Sequence, residues 1–185
     1  MRHAERETAR KIVAGFDYRD PLIKRALWEL KYKGRKRIAR ALGRALYDRT
    51  LEDLADIRMF SMGAPILVIP IPLSKHRARE RGYNQAQLIA KYFIEQNPQL
   101  FELEINAIVK IKDTPPQARI VNRNKRLKNI AGAFSFNPKY SSSLLSGRTI
   151  IVLDDITTTG GTLHEAMKVL EKSGAKKVIG FAVAH

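Results

Sequence analysis

Two hydrophobic rhythms run along this chain. Short apolar runs at residues 64–72 (APILVIPIP), 150–153 (IIVL) and 177–183 predict strands, the second apolar on both of its faces. Apolar residues three and four apart predict helices. One starts at Asp20-Pro21, an N-cap followed by proline in the first turn, continues through Leu22, Ile23, Ala26, Leu27 and Leu30, and stops at Gly34. A second covers residues 37–54, with Ile38, Ala41, Leu42, Ala45 and Leu46 on one side. A third covers 85–96 through Ala86, Ile89, Ala90 and Phe93, and a fourth covers 163–172 through Leu163, Ala166, Met167 and Leu170. A weaker pattern (Ala4, Ile12, Val13, Phe16) suggests a helix over 3–16. Residues 103–110 and 133–136 read as further strands, and Gly174 ends the last helix before the final strand.

Strands alternating with helices predict an α/β fold: a mostly parallel, twisted sheet flanked by helices. The expected division is a helical segment at residues 1–60 and an α/β domain at 61–185. Neither an internal repeat nor a low-complexity segment breaks it.

Polar stretches carry the candidate chemistry. After the 64–72 strand, Pro70 and Pro72 cannot donate to a ladder, so the chain turns into LSKHRARERG, read as a loop. Ser74, Lys75, His76, Arg77, Arg79 and Arg81 then stand at the carboxyl edge of the sheet, where ligands of open α/β sheets bind. Residues 112–132 form the longest polar stretch. A short helix over 117–127 within it would put Arg119, Arg123 and Arg126 on one face, as a basic flap.

Charge adds a second theme. Thirty-four Lys and Arg against eighteen Asp and Glu give +16, a field that attracts nucleic acid, anionic lipid or phosphorylated small molecules. Between Lys24 and Arg44 stand nine basic residues and one acid, Glu29. Lys31, Lys33, Arg35, Lys36 and Arg37, together with Arg79 and Arg81, are candidates for contacting nucleic acid, and Trp28 and Tyr32 within that run offer faces for stacking. A solvated basic surface is the simpler reading. Cysteine is absent and four scattered histidines make no zinc site. The charged start is no secretory signal and no apolar run is long enough to span a membrane, so a cytoplasmic protein is expected.

Residues 149–163, TIIVLDDITTTGGTL, organise the rest. A buried strand ends in Asp154 and Asp155, and a Thr/Gly loop then opens onto a helix. Glycines let successive N–H groups converge on an anion, and a helix N-terminus offers unpaired donors. Two acids beside such a cradle suit a ligand with hydroxyls or a metal as well as a phosphate; a sugar phosphate with magnesium has all three. Neither a Walker loop nor a G-x-G-x-x-G turn is present.

The stretch closely resembles the signature of the type I phosphoribosyltransferases, which bind phosphoribosyl pyrophosphate. More narrowly, LKYKG at 30–34, IPIPLSKHRARERGYNQA at 69–86, Thr114 and Gln117 followed by Arg126, Asn129 and Gly132-Ala133-Phe134, and VLDDITTTGGT at 152–162 resemble the ComF proteins of bacterial competence. Many members of that family begin with a cysteine-rich zinc segment, and with no cysteine in this chain no zinc role is carried over. The resemblance implies that Ile156, Thr157, Thr158, Thr159, Gly160, Gly161 and Thr162 grip the 5′-phosphate while Asp154 and Asp155 orient the ribose hydroxyls. Ser74, Lys75, His76 and Arg77 would hold pyrophosphate with magnesium, and Arg123 or Arg126 would close over it. No protein cage of metal ligands is expected, because magnesium binds largely through substrate phosphates and water. The N-terminal helices would serve as the hood over the acceptor, with Tyr18, Trp28 or Tyr32 near a base. Three readings stay open: a transferase acting on a nitrogen acceptor, a protein handling single-stranded DNA with competence proteins as partners, and a nucleotide-binding regulatory module.

Overall fold

The computed structural model describes residues 12–61, 63–112 and 129–185. Among the described residues, five parallel strands form the central sheet: β1 (Ile12–Phe16), β2 (Ile66–Pro70), β3 (Phe101–Leu103), β6 (Thr149–Ile156) and β7 (Lys177–Ala184), in the spatial order β1-β7-β6-β2-β3. A separate antiparallel pair is made by β4 (Ile108–Lys110) and β5 (Phe134–Phe136). Among the described residues the connections are carried by the helices α1 (Pro21–Lys33), α2 (Lys36–Arg49), α3 (Leu51–Phe60), α4 (Lys75–Arg81), α5 (Gln85–Ile94) and α6 (Gly161–Lys172).

The β6 sequence explains the layering. Side chains alternate across a strand, and here the alternation divides one core from the other. Ile151 and Leu153 pack with α1, α2, α3 and α5 on one face, while Ile150 and Val152 pack with α6 and the β4–β5 pair on the other. Apolar on both faces and flanked by β7 and β2, β6 is the centre of the sheet. On the first face α2 lies close against α5. A Cβ added at Gly43 would meet the Ile89 carbonyl at 2.8 Å and the Phe93 nitrogen at 2.9 Å, so only glycine fits this approach.

Several expectations are corrected. Residues 12–16 form the edge strand β1 rather than the end of a helix; residues 3–11 lie outside the described residues. The helix expected over 37–54 is two, broken at Thr50, whose hydroxyl donates to the Leu46 carbonyl at 2.8 Å and competes with continuation of the ladder. The strand expected over 103–110 is β3 in the main sheet and β4 in the small one. The basic 73–82 segment holds a helix, α4, with Ser74 as its N-cap and Gly82 as its C-cap. The short helix expected over 117–127 lies outside the described residues.

Candidate functional site

The carboxyl ends of β2 and β6 lie side by side, with Pro70 opposite Leu153. A pocket of about 220 Å³ opens above them. Its floor is Asp154, Asp155 and Ile156, one side is Thr157, Thr158, Gly160, Gly161 and Thr162, and the other is the chain after β2.

The 157–162 turn is held open by its own backbone. Thr157 N–H donates to the Ala184 carbonyl at 2.9 Å, tying the turn to β7. Gly160 has φ 74°, and a Cβ there would stand 2.9 Å from Ile12 Cδ1 and 3.0 Å from His164, so glycine is required twice over. No side chain caps α6 at this end, which leaves its first N–H groups beside the pocket.

The two acids are half-buried and adjacent, each receiving the next backbone N–H: Asp155 N–H donates to Asp154 Oδ1 at 2.8 Å, and Ile156 N–H to Asp155 Oδ1 at 2.9 Å. Burial first, and then the neighbouring Asp155 carboxylate, pushes Asp154 well above the ordinary carboxylate range; Lys110 partly opposes the shift. A cation or a set of hydroxyl donors placed here would relieve that strain.

The structure distributes the candidate residues unevenly. Ile156, Thr157, Thr158, Gly160, Gly161 and Thr162 line the pocket with both acids, whereas Thr159 lines a neighbouring cavity with His164 and His185. Of the 74–77 group, only Arg77 reaches the pocket wall. Ser74 is buried as the cap of α4, accepting from Arg77 N–H, and Lys75 and His76 are exposed. Arg77 and Arg81, one helical turn apart, share the inner face of α4, while Arg79 is exposed. Lys31 joins the pocket from α1; Lys33, Arg35, Lys36 and Arg37 are exposed, and Arg35 pairs with Glu29 at 2.7 Å. Arg123 and Arg126 lie outside the described residues, although Lys110 and Ile130, on either side of that segment, both line the pocket.

Lys110 and Gln85 were not among the candidates. Lys110 closes a strand with no signal of its own. Gln85 sits in the first turn of α5 and is only 2% exposed, a burial that residue type alone does not announce. Among the described residues, no group of three or more His, Cys, Asp or Glu is placed to hold a metal ion. Two adjacent carboxylates beside a turn of backbone donors are a donor set that would suit a magnesium ion held largely by other oxygens and water.

Comparison with known proteins agrees with this geometry. The phosphoribosyl transferase domain model matches residues 80–185. Competence protein F of Haemophilus influenzae is 32% identical over 84% of this chain and 64% of its own. The DNA utilization protein YhgH of Escherichia coli O157:H7 is 30% identical over 91% of this chain and 69% of its own, and the Bacillus subtilis competence protein ComFC 28% over 91% and 61%. The chain thus spans somewhat under two thirds of the length of two of these relatives. A parallel sheet with paired acids and a glycine-turned cradle at its carboxyl edge is the architecture of a phosphoribosyltransferase-like protein. The chain belongs to the phosphoribosyl transferase domain family, in its ComF-type branch.

Proposed function

We propose that the pocket binds phosphoribosyl pyrophosphate with magnesium, in the cytoplasm, and supports transfer of the phosphoribosyl group to a nitrogen acceptor. One observation carries this reading: the Asp154–Asp155 pair and the uncapped N-terminus of α6 face a single pocket. The backbone of the 157–162 turn takes the 5′-phosphate, and the two carboxylates accept from the ribose hydroxyls. Magnesium would supply charge neutralisation to the pyrophosphate. In the reaction the acceptor nitrogen bonds to ribose C1 while the C1–O bond breaks. The electron pair leaves with pyrophosphate, and the nitrogen's proton passes to water. The protein's part is positioning and stabilisation of charge. Titration calorimetry with phosphoribosyl pyrophosphate and magnesium tests it. Wild type should bind, and Asp154→Asn/Asp155→Asn should lose about a hundredfold or more, since two charge-assisted hydrogen bonds at about 1.5–3 kcal/mol each are weakened. Equal binding by both would refute the site.

A second function rests on a different surface. Trp28 and Tyr32 are 51% and 61% exposed on α1, their rings 5.3 Å apart, with Lys33 over the first and Lys31 over the second. Exposed rings interleaved with cations favour binding of single-stranded DNA, and the relatives named for competence and DNA utilization favour it too. Competence proteins are the partners this reading suggests. Affinity should fall steeply with salt, and Trp28→Ala/Tyr32→Ala should weaken it at least about tenfold with little change in stability. A flat salt dependence would rule this reading out.

A further inference from the structure

The pocket and the aromatic stripe of α1 meet at one side chain. Lys31 lines the pocket with Arg77 and Arg81, and its Nζ stands 5.3 Å from the centre of the exposed Tyr32 ring. Glu29 is the one acid of α1, and it is already committed to Arg25 at 3.5 Å and Arg35 at 2.7 Å, so no carboxylate of that helix neutralises Lys31. The end of α1 is also pinned to the pocket. Tyr83, between α4 and α5, donates its hydroxyl to the Leu30 carbonyl at 2.7 Å. Its ring lies against the C-cap of α1, where a Cβ on Gly34 would meet Cε1 at 3.0 Å. Arg81 and Asn84, on either side of Tyr83 in sequence, line the pocket themselves. Lys31 and Tyr32 therefore share a fixed frame with the cationic side of the pocket.

Both ligands of the proposed function would ask this one ammonium for the same thing. A pyrophosphate held by the turn and helix after β2 lies among Arg77, Arg81 and Lys31. A single strand stacked on Trp28 and Tyr32 brings its phosphodiester backbone to Lys31 and Lys33, the cations over those two rings. One ammonium cannot complete both contacts, and two polyanions side by side repel each other. Resting on both readings above, we infer that Lys31 is a shared phosphate contact through which the pyrophosphate-bearing ligand and single-stranded DNA exclude each other. Filling the pocket weakens the strand, and the strand weakens the ligand by the same factor, because linkage is reciprocal. Ribose 5-phosphate, which has no pyrophosphate to place beside Lys31, leaves the strand undisturbed. Departure of pyrophosphate then reopens the DNA surface, so capture of a strand follows the state of the pocket.

The test measures binding of a fluorescent oligothymidylate to the full chain at fixed magnesium and matched ionic strength. It is run alone and with saturating phosphoribosyl pyrophosphate, inorganic pyrophosphate or ribose 5-phosphate. The first two should weaken the strand at least about fivefold, and ribose 5-phosphate less than about twofold. They should also lower the salt slope of strand binding by about 0.7, the share of one phosphate contact on a single strand. Lys31→Ala should weaken the strand and remove the coupling, whereas Lys33→Ala should weaken the strand and keep it. Where Lys31→Ala binds too weakly to titrate, lowering the salt brings it back into range. A strand affinity unchanged by phosphoribosyl pyrophosphate would overturn the inference. So would equal weakening by ribose 5-phosphate, or coupling that survives in Lys31→Ala. Wild type that fails to bind one of the two ligands by itself would sink the parent reading for that ligand instead, a result visible before the two are mixed.

Discussion

Two strand-to-helix turns stand side by side at the carboxyl edge of the sheet, and they treat their helix ends in opposite ways. After β2 the chain closes each helix end with its own side chain: Ser74 caps α4 and Asn84 caps α5. After β6 it leaves the end of α6 uncapped, with a left-handed glycine where a serine or asparagine would otherwise sit. On the β2 side cations come from side chains that can swing, Arg77 and Arg81. On the β6 side the donors are backbone groups fixed in place, with two carboxylates beside them. A fixed cradle suits the part of a ligand that does not change in a reaction, and mobile cations suit the part whose charge moves. The difference teaches that an omitted cap can be as informative as a present residue.

The largest test of this contrast is Gly160→Ala. A side chain at φ 74° costs of the order of 1–3 kcal/mol, before the contacts with Ile12 and His164 are counted. Thermal unfolding should drop by about 2–12 °C, at about 2–4 °C per kcal/mol for a chain of this size, and ribose 5-phosphate affinity should fall at least about tenfold. A stable variant with intact affinity would break the comparison. Next comes the protonation of Asp154. Its folded-state pKa lies above the unfolded value of 3.8, so its contribution to stability is complete below that value and is lost as pH rises through the raised one. Asp154→Asn should therefore remove this part of the pH dependence and melt about 2–4 °C above ligand-free wild type near neutral pH, for about 1 kcal/mol relieved. Parallel melting curves for the two proteins across that range would show that Asp154 is not strained. The smallest effect is expected at a cap far from the ligand. Asp20 accepts from Leu22 N–H at 2.8 Å and from Ile23 N–H at 3.4 Å, and Asp20→Ala should cost about 1 kcal/mol in a denaturant titration while leaving ribose 5-phosphate affinity unchanged.

What could be read in advance was local. Asp20-Pro21 and Gly34 bracket α1 as expected because a cap is made by neighbours in sequence. The strand, acids and turn of residues 149–163 share one continuous stretch, so their adjacency needed no tertiary information. α4 was hidden because a seven-residue helix with no buried residue has no apolar period to display. Its alternate cations read as a loop, and only Ser74 and Gly82 at its ends signalled otherwise. β1 was missed because its partner is β7, at the far end of the sequence. The 103–110 run split because hydrophobicity does not say which sheet a strand will join. Gln85 could not be found from residue type, since a glutamine in a first turn usually faces water.

The register of the edge strand has a kinetic consequence. Ile12 lies opposite Gly180 and Phe16 opposite Ala184, and His185 N–H donates to the Phe16 carbonyl while Tyr18 N–H donates to the His185 carbonyl. Thr157, at the root of the cradle, hangs from the same strand through Ala184. Pairings between such distant stretches form slowly, because a long loop must close before any contact rewards it. In refolding, the helices can assemble while the β1–β7 pairing beside the cradle is still missing. Competence to bind a sugar phosphate should thus trail the recovery of helical signal, arriving only when these sequence-distant strands have met.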